Sequence, residues 1–253
     1  MNIWLKRLLF NIQFLTRFPV KIKLDVDETD MARGMALFPI VALLVGAANA
    51  CALALAWAWT GNALVSALAV AAMNAYITGG LHIDGLSDVC DGVFSGRDKT
   101  KALEIMRDSR MGAFGGVGLF MDLAARFALM AALIPRGLGF AVCAAIAAPV
   151  VGRMAQLTAS LVGRSAREGM GSVYVKGMDN RVWGAGLLIA LALCVALLGM
   201  RAIWVTPVFL ILPLMMVRFF DNRLGGITGD CLGAVNELAE IVALLVLAGR
   251  ALA

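Results

Sequence analysis

Charge is what this sequence has least of. Charged side chains make up 15% of its 253 residues and hydrophobic ones 61%, with a mean hydropathy of +0.87. Soluble domains carry about 25% charged and about 45–50% apolar residues. One core of this size cannot hide such an excess while its surface still faces water. That excludes an ordinary soluble enzyme and a disordered chain. Paired cysteines are missing too: Cys51, Cys90, Cys143, Cys194 and Cys231 show no CxxC spacing, and three sit inside apolar runs as small hydrophobes. Neither a zinc site nor a disulfide scaffold is indicated. The net charge of +5 and pI of 9.2 come without the clustered basic stripe that nucleic acid requires. A cleavable leader is not indicated either, because Met1 to Phe18 lacks a long apolar stretch followed by small residues.

What is present is a series of apolar runs at 35–59, 61–81, 113–134, 138–162, 182–200 and 202–217, with a shorter one at 238–253. Spans need roughly 17–25 mostly apolar residues. The pattern predicts an all-α, polytopic integral membrane helical bundle of about six to seven transmembrane helices. No internal repeat or low-complexity linker divides it, so 1–253 reads as one domain. The N-terminal stretch is amphipathic, with Lys6, Arg7 and Arg17 among Ile3, Trp4, Leu5, Leu8 and Phe10, and is either an interfacial helix or one docked on the bundle.

The polar segments 1–33, 82–111, 164–181 and 218–240 hold 17 of the 22 Lys and Arg, while the opposite connections and the end hold Arg136, Arg201 and Arg250. By the positive-inside rule the N-terminus and all four segments are cytoplasmic. Of the 17 acidic residues 16 fall on that same side, Asp122 being the exception. Acidic residues do not set topology, so their gathering asks for a chemical reason.

Three clusters supply it. In the first, Gly79-Gly80-Leu81-His82-Ile83-Asp84-Gly85-Leu86-Ser87-Asp88-Val89-Cys90-Asp91-Gly92, the aspartates fall at i, i+4 and i+7 on one helical face. Three carboxylates on a stripe beside an apolar span are costly unless a cation sits among them. Oxygen-only ligands suit Mg²⁺, which bridges to substrate phosphates. In the second, Glu104 and Asp108 share a face with Lys101, beside Arg107 and Arg110. This is either a salt-bridged helix or a metal ligand and phosphate clamp. In the third, Gly225, Gly226, Gly229 and Gly233 surround Asp230, with Asn236, Glu237 and Glu240 beyond. It is a turn beside a phosphate or metal, or a plain loop. His82, the only histidine, is a general base, a phosphate donor or a structural group. Asp122 and Arg126, at i, i+4, are expected to pair, and Arg153 to face the site. Together these indicate a cytoplasm-facing, Mg²⁺-dependent enzyme of phosphate-bearing substrates. A divalent-cation or anion transporter would instead carry its carboxylates near mid-membrane.

At these residues the chain resembles the cobalamin synthase family (adenosylcobinamide-GDP ribazoletransferase). The resemblance runs through Gly79 to Gly92, Leu103 to Gly112 and Leu224 to Ala234, with Phe14 to Pro19 and Arg33 to Pro39 also similar. Ile83 stands where many relatives carry a carboxylate. A CDP-alcohol phosphotransferase would show an Ala-Arg pair after the first Asp-Gly, where this chain has Leu86 and Ser87. The resemblance implies a bacterial inner-membrane enzyme that joins α-ribazole, or its 5′-phosphate, to adenosylcobinamide-GDP with loss of GMP. Asp84, Asp88, Asp91 and Glu104 would hold Mg²⁺ on the diphosphate. Arg107 and Arg110 would neutralise the leaving group, and Asp108, Asp230 or His82 would position or deprotonate the nucleophile. Lipid surrounds such an enzyme, nucleic acid is not a partner, and assembly into an oligomer is compatible with the sequence.

Overall fold

The computed structural model describes residues 1–249. Arg250 and the end of the expected 238–253 run lie outside the described residues. The fold is all-helical: α1 (Ile3–Leu15), α2 (Glu28–Gly34), α3 (Phe38–Thr60), α4 (Ala63–Ile77), α5 (Leu81–Phe94), α6 (Lys99–Ile105), α7 (Ala113–Leu133), α8 (Leu138–Val162), α9 (Met170–Gly177), α10 (Asn180–Leu198), α11 (Ala202–Leu224) and α12 (Gly229–Leu247).

Four helical stretches are long and apolar enough to cross a membrane, Glu28–Thr60, Ala113–Arg136, Leu138–Val162 and Asn180–Leu224, while α4 and α5, bent by 89° at their junction, reach that length only when taken together. Asn180–Leu224 turns back on itself. The Trp183 indole donates to Thr158 Oγ1 at 3.2 Å and Arg164 pairs with Asp221 at 3.2 Å, both near the Val162 end of α8. Arg201, midway, stacks on Phe140 at the other end, 4.8 Å from the ring centre. So α10 and α11 are two antiparallel crossings. α12 runs the length of the bundle: Asp230 lies at the polar end with Arg167, while Arg136 donates to Leu247 O at the opposite end.

α8 forms the centre, with α3, α10, α11 and α12 around it. Its small residues allow close approach, as packing in lipid favours. A Cβ at Gly46 of α3 would stand 2.6 Å from Ile146 Cα, and one at Gly152 would stand 2.7 Å from Asn236 Oδ1. Side chains such as Leu68, Phe120, Leu188, Ile211 and Leu245 are exposed on the outer faces, where lipid is their solvent.

One expectation is corrected. The segment 218–240 is not a polar connection: α11 continues to Leu224 and α12 begins at Gly229, so Glu237 and Glu240 are buried within the bundle. Their charge is matched from a distant helix, which local composition does not reveal. Arg126 of α7 pairs with both, at 2.7 Å each, and also with Asp122, its expected i,i+4 partner, at 3.8 Å. These carboxylates lie midway along α12, but unlike a transporter's they are taken up by Arg126.

The amphipathic N-terminus is docked. Arg7 is buried against Asp30 at 2.9 Å, Asn11 donates to Gly34 O at 2.7 Å, and Ile3, Trp4 and Leu5 remain exposed.

Candidate functional site

The site begins at the break between α4 and α5. Gly79 and Gly80 have φ of 65° and 75°, a left-handed conformation that other residues adopt only with strain. Arg17 N donates to Ile77 O at 2.8 Å, clamping the N-terminal segment onto the break. From here α5 departs at 89° to α4 and lies across the polar end rather than crossing.

α5 crosses α12 with their backbones almost touching. A Cβ on Gly85 would stand 2.9 Å from Asp230 Cα, and one on Gly233 2.9 Å from His82 O. This brings Asp84 and Asp88 of the first cluster beside Asp230 of the third. Asp88 is half-buried, and burial followed by repulsion from Asp84, Asp230 and Asp91 pushes its carboxyl up to about 7. Asp91 is held by the start of α7: Gly112 N and Gly115 N donate to its two oxygens at 2.6 and 2.8 Å. A carboxylate complements the positive end of a helix, so Asp91 also anchors α7.

The second cluster is divided. Arg107 lines a polar groove of about 270 Å³ together with Arg167, Thr228 and Asp230. Glu104 pairs with Lys101 at 2.8 Å, with both side chains more than half exposed. Asp108 is taken up by Arg110, whose side chain is 88% exposed, at 2.6 Å; that hydrogen bonding holds the Asp108 carboxyl down at about 2.

Sequence reasoning missed Arg167. It donates to Asp230 Oδ2 at 2.8 Å and to Leu103 O at 2.9 Å, tying α6 to the start of α12. Thr228 Oγ1 also donates to Asp230 Oδ2, at 3.1 Å, leaving Oδ1 without a donor among the described residues. The only signal for Arg167 was its place in a short charged segment. Tyr174, also missed, lines a second, apolar cavity of about 240 Å³ that borders Asp84 and Asp230. An open groove of about 650 Å³ runs past Asp84 on the other side, along Arg17 and the glycine break.

Behind the site, His82 is buried. Its Nε2 lies 2.9 Å from Arg153 Nη1, which also donates to Asn236 Oδ1 at 2.6 Å. Asn236 Nδ2 donates to Glu240 at 2.9 Å and Glu237 at 3.2 Å, and these two bind Arg126. Arg153 therefore serves this buried network and does not face the carboxylates.

Among the described residues no three His, Cys, Asp or Glu side chains stand close enough together to hold a metal ion. The donor chemistry nevertheless suits Mg²⁺. That ion is usually bound by one or two carboxylates, waters and substrate phosphates rather than by an all-protein cage. The mutual repulsion around Asp88 would be relieved by a cation.

Comparison with known proteins agrees with this architecture. A family model described as cobalamin-5-phosphate synthase matches residues 7–248. An adenosylcobinamide-GDP ribazoletransferase of Clostridium botulinum (strain Okra / Type B1) is 37% identical over 242 residues, covering 94% of this chain and 96% of that protein. Proteins of the same description from Clostridium novyi (strain NT) and Shigella dysenteriae serotype 1 (strain Sd197) are 34% and 36% identical, covering 96% and 93% of this chain and 96% of each relative. No solved structure matches.

Proposed function

The chain belongs to the cobalamin-5-phosphate synthase family, and on that premise we infer that it joins α-ribazole, or its 5′-phosphate, to adenosylcobinamide-GDP with release of GMP. The observation that carries this reading is the meeting of Asp84 and Asp88 with Asp230, beside a groove lined by Arg107 and Arg167. Carboxylates for a cation and arginines for phosphates are what attack on a diphosphate requires.

A ribose hydroxyl other than the 5′ one, free in both the nucleoside and its 5′-phosphate, forms a bond to the β-phosphorus; the bond from that phosphorus to the bridging oxygen of GMP breaks, and the hydroxyl proton passes to a carboxylate base. Mg²⁺ held by Asp84 and Asp88, with Asp91 at the rim, would supply charge neutralisation on the diphosphate. Arg107 and Arg167 neutralise the negative charge that grows on departing GMP. Of the three proposed bases, Asp230 fits best, because its Oδ1 accepts no hydrogen bond among the described residues. Asp108 is committed to Arg110, and His82 presents Nε2 to Arg153, so His82 acts as a positioning residue that fixes α5 against α8 and α12. The same hydroxyl attacks whether or not the 5′ position carries a phosphate, so a proton has to be removed with either substrate. Glu104 and Arg110 fall outside this scheme. The excess of Lys and Arg at the polar end supports a cytoplasmic orientation for it, the side on which nucleotide substrates are available.

The test is GMP release by the detergent-solubilised protein from adenosylcobinamide-GDP and α-ribazole, with Mg²⁺ and after chelation. Activity is expected only with the metal. Asp84→Asn and Asp88→Asn are each expected to lose at least on the order of 10²-fold while inserting normally. Wild-type turnover in both variants would overturn the metal assignment.

A further inference from the structure

The open groove of about 650 Å³ that passes Asp84 along the glycine break has no part in the transfer chemistry described above. We propose that it seats the attacking ribonucleotide, with the Arg17 guanidinium binding the 5′-phosphate. The proposal rests on the transferase reading above and names the residue that tells the phosphorylated nucleoside from the bare one.

Charge pairing singles out Arg17. Three cavities meet around Asp84 and Asp230, and the basic residues that line them are Arg17, Arg107 and Arg167. Arg167 is neutralised by Asp230. Among the described residues neither Arg17 nor Arg107 forms an ion pair with a carboxylate. The Arg17 side chain is exposed and lies over the break between α4 and α5. A Cβ on Gly79 would stand 3.1 Å from its Nε, and its guanidinium packs 5.7 Å from the Tyr76 ring centre. Stacking on a ring engages the guanidinium face, which leaves the N–H donors along its edge for a phosphate.

The placement suits in-line displacement, in which attacking and leaving oxygens stand on opposite sides of the phosphorus. Arg107 and Arg167 line the groove assigned to departing GMP, which borders Asp230. The groove of Arg17 borders Asp84 and shares no lining residue with that one. The apolar cavity joins the two, through Phe14, Leu81 and Asp84 on one side and Met170, Gly171 and Asp230 on the other. A nucleotide held by its phosphate at Arg17 turns its ribose, with the attacking hydroxyl, toward the carboxylates. Size agrees, because about 650 Å³ falls within the roughly 300–1,000 Å³ usual for small-molecule sites. The corrinoid limb of the other substrate carries amide arms rather than anions and offers Arg17 no counter-charge.

Steady-state kinetics of GMP release by the solubilised full-length protein test this, with α-ribazole and its 5′-phosphate as alternative nucleophiles. Wild type is expected to show a KM for the 5′-phosphate on the order of 10-fold below that for α-ribazole, as hydrogen bonds between charged groups allow. Arg17→Gln should raise the 5′-phosphate KM to the α-ribazole level, with the KM values for α-ribazole and adenosylcobinamide-GDP nearly unchanged. Arg17→Lys, which keeps the charge and loses the planar fork, should fall between the two. The main-chain bond from Arg17 N to Ile77 O survives both substitutions, so the clamp on the break stays in place. A structural role for the side chain would raise the KM of both nucleophiles alike, and that result overturns the proposal. So does an Arg17→Gln protein that keeps the wild-type preference. Equal KM values for the two nucleophiles in the wild type overturn it without any variant. Absence of GMP release by the wild type with either nucleophile overturns the transferase reading, and the Arg17 assignment with it.

Discussion

Arg107 and Arg110 show how little spacing says about a side chain's task. Both flank Asp108 in the same short segment, and either could clamp a phosphate by its chemistry. Their surroundings differ. Arg107 opens onto the groove that contains Asp230, whereas Arg110 is directed to solvent and returns to Asp108. Arg107→Ala is therefore expected to lower kcat for GMP release on the order of 10²-fold, as loss of a transition-state charge contact does. Arg110→Ala should cost less than threefold, since exposed pairs contribute little. Equal losses at the two positions would put the whole turn into the site. Asp91 carries a double duty of the same kind, because it shares the aspartate stripe and also binds the first amides of α7.

Between elements, the decisive contact is the crossing of α5 and α12. Gly85 and Gly233 let the two backbones meet, and the distance between Asp84 and Asp230 follows from that approach. Gly85→Ala would set a methyl group against Asp230 Cα and force the helices apart, an overpacking worth about 1–3 kcal/mol. A lower melting temperature together with lost activity is expected, while Gly139→Ala, which meets nothing within 4 Å, should leave both unchanged. Wild-type melting in Gly85→Ala would show that the crossing can yield. Much of this level was legible beforehand. The runs at 113–134 and 138–162 correspond closely to α7 and α8, and the aspartate stripe is helical as its spacing predicts. The start of α12 was not legible, because Asp230, Glu237 and Glu240 look like a polar loop until Arg126 and Arg153 are brought alongside. The break after Ile77 was also hidden: Gly79 and Gly80 extend an apolar run in composition while ending the helix in conformation. Three cavities meeting around two carboxylates belong to tertiary packing alone.

For the molecule as a whole, the scarce charge has two uses. At the polar end it builds the site, and within the bundle it joins α7, α8 and α12 through Arg126, Arg153, Glu237 and Glu240. Removing one side of a buried pair costs about 3–5 kcal/mol because the other charge stays behind. The double variant Glu237→Gln and Glu240→Gln leaves Arg126 with only Asp122, 3.8 Å away, and should melt at a markedly lower temperature. Adding Arg126→Met should recover much of that loss. A double variant as stable as wild type would show that the carboxylates are already protonated. The same pairing imposes a timetable on biogenesis. Arg126 enters the bilayer with α7, matched there only by Asp122 at 3.8 Å, whereas Glu237 and Glu240 leave the ribosome later, with α12. An arginine near a helix centre costs about 2.5–3.5 kcal/mol on the insertion scale, so the half-made protein carries a deficit that α12 relieves. A chain terminated before Gly229 is thus not a smaller transferase but an unfinished one, its Arg126 short of two of three acidic partners.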